Sequence, residues 1–190
     1  MGLQWVMLNR SVPTGPLQPL ATYPNRLVHA LGLSRRYMRD VSELFSGDTY
    51  SFQNRPDNLI PDSCAGVYTI WEGDRFIYVG IAGRDLQKVS KSKVRGLKQR
   101  LRTHWKGGLG GDQFAVYVFE RITAPQLTQE QLKAMGEGTL TLIELNREYI
   151  HTKLSYRYLV TDTYSEAMEI ERTLKSGLLD SVPKPFLNPT

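Results

Sequence analysis

Apolar and polar positions along this chain fall into short blocks with two different periods. From Arg35 to about Phe45, Tyr37, Val41, Leu44 and Phe45 form one helical stripe; Ser34 is placed to cap it and Ser46-Gly47-Asp48 to end it. Residues 51–63 are polar, carry Pro56 and Pro61, and read as a loop. The period then shortens. Gly66-Val67-Tyr68-Thr69-Ile70-Trp71 and Arg75-Phe76-Ile77-Tyr78-Val79-Gly80 flank Glu72-Gly73-Asp74, which predicts a hairpin. With its loop centred on Gly73, Trp71 faces Arg75, Ile70 faces Phe76 and Tyr68 faces Tyr78. Leu97, Leu101 and Trp105 recur every four residues, which predicts a helix from about Gly96 to Lys106, stopped by Gly107-Gly108-Leu109-Gly110-Gly111. That glycine run follows a helix and does not open one, so it is not a phosphate loop. Phe114–Phe119 is β-prone and reads as a strand. Thr128 caps helical character from Gln129 to about Leu154, with Gly136 and Gly138 as breaks. Ser155–Val160 reads as a strand. Tyr164 to about Leu179 reads as a helix with Ala167, Ile170, Leu174 and Leu178 on its stripe.

This pattern predicts an α+β fold: a small, mainly antiparallel three-stranded sheet, with room for an extra strand, flanked by helices. Residues 1–63 read as an N-terminal arm, rich in Pro and Gly, and a helix packing on the core. Residues 64–190 read as the main domain, with a helical insertion at about 121–155. Hydrophobic content of 41% and charged content of 23% are those of a globular protein. No apolar stretch approaches the roughly 20 residues of a membrane helix, so no membrane partner is expected. The segment Met1 to Arg10 lacks the basic-then-apolar order of a secretion signal, and a cytoplasmic location is expected. The lone Cys64 gives no internal disulfide framework, and with three His there is no zinc cluster.

Charge adds a partner class. The net charge is +5, which suits a polyanion. Lys88, Lys91, Lys93, Arg95, Lys98, Arg100, Arg102 and Lys106 fall within 19 residues, with no acid among them. A solvated helix face is the ordinary reading of such a run. Ser90, Ser92 and Gly96 make the first half a poor helix and a better basic loop.

Within this frame a few residues could carry chemistry. Tyr68 and Tyr78 would be neighbours on one face of the hairpin, though paired tyrosines are also common sheet filler. Arg100 and His104, four apart, lie one above the other at the edge of the Leu97/Leu101/Trp105 stripe; a histidine there is also often a core-edge residue bonded to a carbonyl. Arg102 points about 200° away from Arg100. Of the three glutamates in the last helix, Glu171 lies nearest the apolar stripe, Glu166 fits the helix N-terminus, and Glu169 fits the solvated face. A carboxylate pushed toward the core is costly unless it is paired or binds a cation. Asn188, in Pro185-Phe186-Leu187-Asn188, would by itself be a turn residue.

The order of these features resembles the GIY-YIG nuclease superfamily: Gly-Val-Tyr, Tyr-Val-Gly, Arg-x-x-x-His on a helix, a semi-buried Glu on a later helix and Pro-x-x-Asn beyond it. The matching residues are Tyr68, Tyr78, Gly80, Arg100, His104, Glu171 and Asn188, over about residues 64–120 and 156–188. Each tripeptide has Val where the family has Ile, about five extra residues separate Glu171 from Asn188, and the 121–155 insertion has no place in the minimal domain. The pre-hairpin helix and the long basic loop look most like the restriction-endonuclease branch. The resemblance implies a Mg²⁺-dependent endodeoxyribonuclease, of sequence-specific type II restriction character, that leaves 5′-phosphate and 3′-OH ends. A less specific DNase (a toxin or repair nuclease) and a non-catalytic DNA-binding module on the same scaffold are the alternatives. It implies catalytic roles for Tyr68, Tyr78, Arg100, His104, Glu171 and Asn188. Glu171 would be the ligand of a single Mg²⁺, for which Mn²⁺ could substitute; no small-molecule cofactor is implied. Tyr68 and His104 compete for the role of general base. The partner would be double-stranded DNA, with a homodimer if the target is palindromic. Lys88, Lys91, Lys93, Arg95, Lys98, Arg102 and Lys106 would contact phosphates. Asn146, Arg147, His151 and Lys153 of the insertion, with Tyr149 and Tyr156, would read base edges.

Overall fold

A computed structural model of the chain describes residues 35–56, 60–84, 86, 96–177 and 183–188, with backbone alone for 35–40. The arm at 1–33, Ser34, the basic residues Lys88, Lys91, Lys93 and Arg95, and the end of the last expected helix at 178–179 lie outside the described residues.

Helix α1 (Arg35–Ser46) is followed by a two-residue strand β1 (Tyr50–Ser51), then the hairpin strands β2 (Ala65–Glu72) and β3 (Arg75–Ala82). Next come α2 (Leu97–Trp105), α3 (Gln113–Val118), α4 (Gln129–Gly136), α5 (Leu142–Lys153), strand β4 (Leu154–Thr161) and α6 (Tyr164–Ser176). The four strands form one antiparallel sheet in the order β1-β4-β2-β3, so β3 is an edge strand. The fold is α+β, with helices on both faces. One face packs Tyr68, Ile70, Ile77 and Tyr78 against Leu97 and Leu101 of α2, Phe114 and Val118 of α3, and Ile150 of α5. The other packs Val67, Trp71, Phe76 and Val79 against Val41 and Leu44 of α1 and Ala167, Ile170 and Leu174 of α6. None of the described helices is long and apolar enough to cross a membrane.

Two expectations about these elements are corrected. The hairpin turn is the two-residue Gly73-Asp74, not a loop centred on Gly73, so Glu72 pairs with Arg75 and Trp71 with Phe76. A bulge at Ile70/Trp71 then shifts the register again: Ile70 pairs with Tyr78, and Tyr68 with Gly80. The bulge has a geometric consequence. Moving the turn by one residue would by itself send Tyr78 to the face opposite Tyr68, because strand side chains alternate. The extra β3 residue restores it, so Ile77 and Tyr78 both join the Tyr68 side of the core. The tyrosines are diagonal neighbours, with ring centroids 6.3 Å apart.

The second correction concerns Phe114–Phe119, which is helical. A short apolar run does not distinguish a strand from a buried helix. Here Phe114, Ala115, Val118 and Ile122 are the buried positions, a helical spacing, and the chain runs on from α3 through a π-helical turn at Phe119–Thr123. The insertion divides at Gly136 and Gly138 into α4 and α5, each opened by a capping box, Thr128/Gln131 and Thr141/Glu144. Thr163 and Glu166 form a third at α6, where Glu166 fits the N-terminal role expected of it.

Candidate functional site

Tyr68, on the central strand β2, is fully buried. Its ring lies directly over Gly80 on the neighbouring strand: a Cβ at Gly80 would stand 2.3 Å from the Tyr68 hydroxyl oxygen and 2.5 Å from Cζ. A residue without a side chain is therefore required at position 80 for the phenol to lie where it does. Gly66, at the other end of the pair, is held as tightly, since a Cβ there would meet the Leu159 carbonyl oxygen at 2.4 Å.

The helix α2 packs on this face through Leu97 and Leu101, and its register delivers His104 and Arg100 to the tyrosine. His104 Nε2 lies 2.7 Å from the Tyr68 hydroxyl, and its Nδ1 lies 2.7 Å from Asp112 Oδ2. A carboxylate only accepts, so Nδ1–H donates to Asp112, Nε2 is bare, and the Tyr68 O–H donates to it. Arg100 Nε–H donates to the same phenol oxygen at 3.4 Å, the weak end of the hydrogen-bonding range. The imidazole sits in an aromatic box, with ring centroids of Phe114, Tyr68 and Tyr78 at 4.6, 5.3 and 6.2 Å.

This enclosure sets the proton affinities. Burial pushes the Tyr68 phenol well above its ordinary value, and the Arg100 cation offsets only part of the shift. Tyr78 is pushed up to about 12, again chiefly by burial. Burial lowers His104, although Asp112 works in the opposite direction, so the imidazole is neutral near pH 7. Burial also opposes the charge on Arg100, but Tyr68, Asp112 and Tyr78 outweigh it, and the guanidinium stays cationic. Tyr68 therefore holds its proton near neutral pH.

Glu171 lies on α6, which packs on β2 and β3 across the sheet from α2, and its charge acts on the Tyr78 hydroxyl. Its side chain is 18% exposed and pairs with Lys175 at 2.9 Å. Among the described residues, no group of three or more His, Cys, Asp or Glu gathers as a metal cage. A single partly exposed carboxylate does not fit zinc. It does fit Mg²⁺, which keeps several waters and takes one or two carboxylates together with substrate phosphates.

Asn188, expected among the catalytic residues, has its side-chain amide bonded to the β3 backbone. Its side-chain oxygen accepts from Val79 N–H at 2.8 Å and its amide donates to the Val79 carbonyl at 2.9 Å. Phe186 N–H and Leu187 N–H donate to the Phe76 and Ile77 carbonyls. The C-terminal segment thus covers part of the free edge of β3, and Asn188 spends its amide on that backbone.

The expected DNA contacts divide. Lys98 is bound to Asp62 at 2.6 Å. Arg102 lies farther round α2, and Lys106 is exposed at its end. In the insertion, Asn146 is fully buried, its amide donating to the Gly107 and Ala115 carbonyls, so it cannot read a base edge. His151 stacks on Trp105 and its ring N–H donates to the Trp105 carbonyl. Tyr149 donates to Glu72, and Tyr156 is in the core. Arg147 and Lys153 are exposed, with Arg147 Nε–H donating to the Lys106 carbonyl. Sequence reasoning missed Asp112. Its one signal is an acid just beyond the glycine run, and the expected strand at 114–119 gave it no reason to turn toward His104.

No protein-family model matches this chain, and no curated protein or solved structure matches it either.

Proposed function

We propose that the chain is a DNA endonuclease of the GIY-YIG type that hydrolyses phosphodiesters with Mg²⁺ bound at Glu171. The observation that carries this reading is the packing of Tyr68 on Gly80 with its hydroxyl shared between His104 and Arg100. Four residue types at four positions meet in one place, in the chemistry that phosphodiester cleavage needs. Arg100 is half-buried where Tyr68 is fully buried, so the guanidinium leads from the phenol toward the surface. There it can bind the scissile phosphate in a fork and hold the charge that grows in the transition state. Tyr68 donates to His104 and accepts from Arg100, and in the proposed reaction its oxygen would take the proton of a water brought in with the phosphate. Tyr78 flanks it and, with its proton held up to about 12, stays a neutral phenol. The cation at Glu171 would supply charge neutralisation at the phosphate and the departing 3′ oxygen.

The finer reading is a type II restriction enzyme, homodimeric on a palindromic site and leaving 5′-phosphate and 3′-OH ends. The ties of Asn146 and His151 to backbone carbonyls favour the second reading, a DNase of looser sequence preference, because they remove two of the base-reading candidates. One experiment addresses both. Purified protein is incubated with plasmid and Mg²⁺ beside Glu171→Ala and Arg100→Ala. Cleavage by wild type alone supports the nuclease, with discrete bands for restriction and a smear for the looser enzyme. Wild type as inert as both variants across divalent metals and varied DNA would refute it.

A further inference from the structure

Asp112 is 1% exposed, and only one of its carboxylate oxygens is bonded. Oδ2 accepts from His104, while Oδ1 has no partner among the described residues. Burying a carboxylate with half its acceptors empty is unfavourable, and such a group calls for an explanation beyond packing. Asp112 stands at the N-terminal boundary of α3 but makes no capping bond there, so capping does not explain it. What it does touch is the imidazole that touches Tyr68.

We infer that Asp112 is a positioning residue that makes Tyr68, His104 and Asp112 a proton relay in the proposed nuclease. The inference rests on the nuclease reading for its substrate, but not for its geometry. Two bonds of 2.7 Å join phenol to imidazole and imidazole to carboxylate. Because the carboxylate can only accept, it fixes the proton on Nδ1 and leaves Nε2 bare toward Tyr68. The phenol is a poor base by prior ionisation, since burial disfavours a standing phenolate. It can act by exchange. As the water oxygen bonds to phosphorus, the water proton passes to the Tyr68 oxygen and the Tyr68 proton passes to His104 Nε2. The P–O3′ bond breaks, and the departing oxygen takes a proton from solvent water. His104 is left as an imidazolium facing Asp112, and afterwards it returns its extra proton to solvent through Tyr68. The logic is that of a carboxylate which orients a histidine and stabilises its cationic form.

The titratable and charged groups facing His104 are Tyr68 from β2, Tyr78 from β3, Arg100 on its own helix and Asp112 before α3. Of these, Asp112 alone is an anion that favours the imidazolium. The test is Asp112→Asn, which keeps size and hydrogen bonding but removes the charge. The reads are the His104 titration by NMR and single-turnover cleavage across pH. The His104 midpoint is expected to fall by about one unit or more and the cleavage rate about 100-fold or more, with the denaturation midpoint near wild type. An unmoved His104 midpoint, or cleavage at the wild-type rate, overturns the relay. A wild-type measurement covers the case in which the variant does not fold: nitrogen shifts of the His104 ring should report Nδ1–H with Nε2 bare, and the opposite tautomer overturns the inference. Wild type inert toward DNA would refute the nuclease reading, and a shifted His104 midpoint would still support the coupling.

Discussion

Gly80→Ala is the sharpest perturbation of this site that replaces no group able to exchange a proton. The new methyl would lie 2.3 Å from the Tyr68 hydroxyl oxygen, 2.5 Å from Cζ and 2.9 Å from Tyr78 Cε1. Non-bonded heavy atoms settle near 3.5 Å, so the Tyr68 ring must retreat by about 1 Å. It has nowhere to go cheaply, since it is fully buried against His104 and Tyr78. Overpacking of this kind costs about 1–3 kcal/mol, and at this chain length each kcal/mol lowers the melting temperature by about 2–4 °C. The chemical consequence is larger. A 1 Å move carries the 2.7 Å bond between Tyr68 and His104 to about 3.7 Å, beyond hydrogen bonding, or drives the ring into the imidazole. Misplacement on this scale lowers a rate by about 100-fold. The assay is plasmid cleavage per folded molecule, beside thermal melting. Gly108→Ala and Gly110→Ala are the controls, because a Cβ at either meets nothing within 4 Å and neither has positive φ. Gly80→Ala that melts and cleaves like these controls would refute the contact and its role in placing Tyr68.

Three further outcomes follow from the same contacts. Asn188→Ala should cost about 1–3 kcal/mol, because it strips both Val79 backbone groups of buried partners; urea denaturation should show the loss while cleavage per folded molecule stays near wild type. Asn146→Ala should destabilise by a similar amount, because it leaves the Gly107 and Ala115 carbonyls short of a donor; a changed cleavage pattern without lost stability would restore the base-reading role. Tyr78 keeps its proton to about pH 12 in the folded protein, and Tyr68 is raised in the same direction. The unfolded chain loses these protons near pH 10, so their contribution to stability is complete below pH 10 and is lost as pH rises from about 10 through 12. Denaturation midpoints should fall across that window, and less steeply in Tyr78→Phe.

The hairpin was legible because its signals are local: Gly and Asp between two β-branched, aromatic runs. Its register was not. The turn moved by one residue and the bulge by one more, and only their sum returned Tyr78 to the side of Tyr68. A bulge is decided by packing on both faces, with Trp71 and Phe76 against Phe45 on one side and Ile77 filling the core on the other. The Leu97/Leu101 stripe gave the helix that carries Arg100 and His104, because a four-residue repeat survives any tertiary context. Phe114–Phe119 went the other way: its residue types favour a strand, and burial of one helical face overrode them. Asp112 was lost with it. Asn146 and Asn188 show a related limit. An amide that could bind a base or line an active site is in each case spent on backbone carbonyls and N–H groups that only the folded chain brings near.

Burial links these features. The enclosure that places Tyr68 beyond water also holds its proton, so in the proposed reaction Tyr68 can act only by passing that proton on to His104. A site built on a free phenolate would need Tyr68 at the surface beside its cation. Here Arg100 reaches the phenol only through a 3.4 Å contact, while His104 holds it at 2.7 Å. The stronger partner is therefore the acceptor, and the acceptor is itself held by an anion with an empty oxygen. Arg100, half-buried and hydrogen-bonded to both phenols, is the cation the proposal turns toward a phosphate. The two bond lengths thus divide the labour proposed for the site: the proton moves inward from Tyr68 to His104, whose cationic form Asp112 favours, and charge is met outward at Arg100 and Glu171.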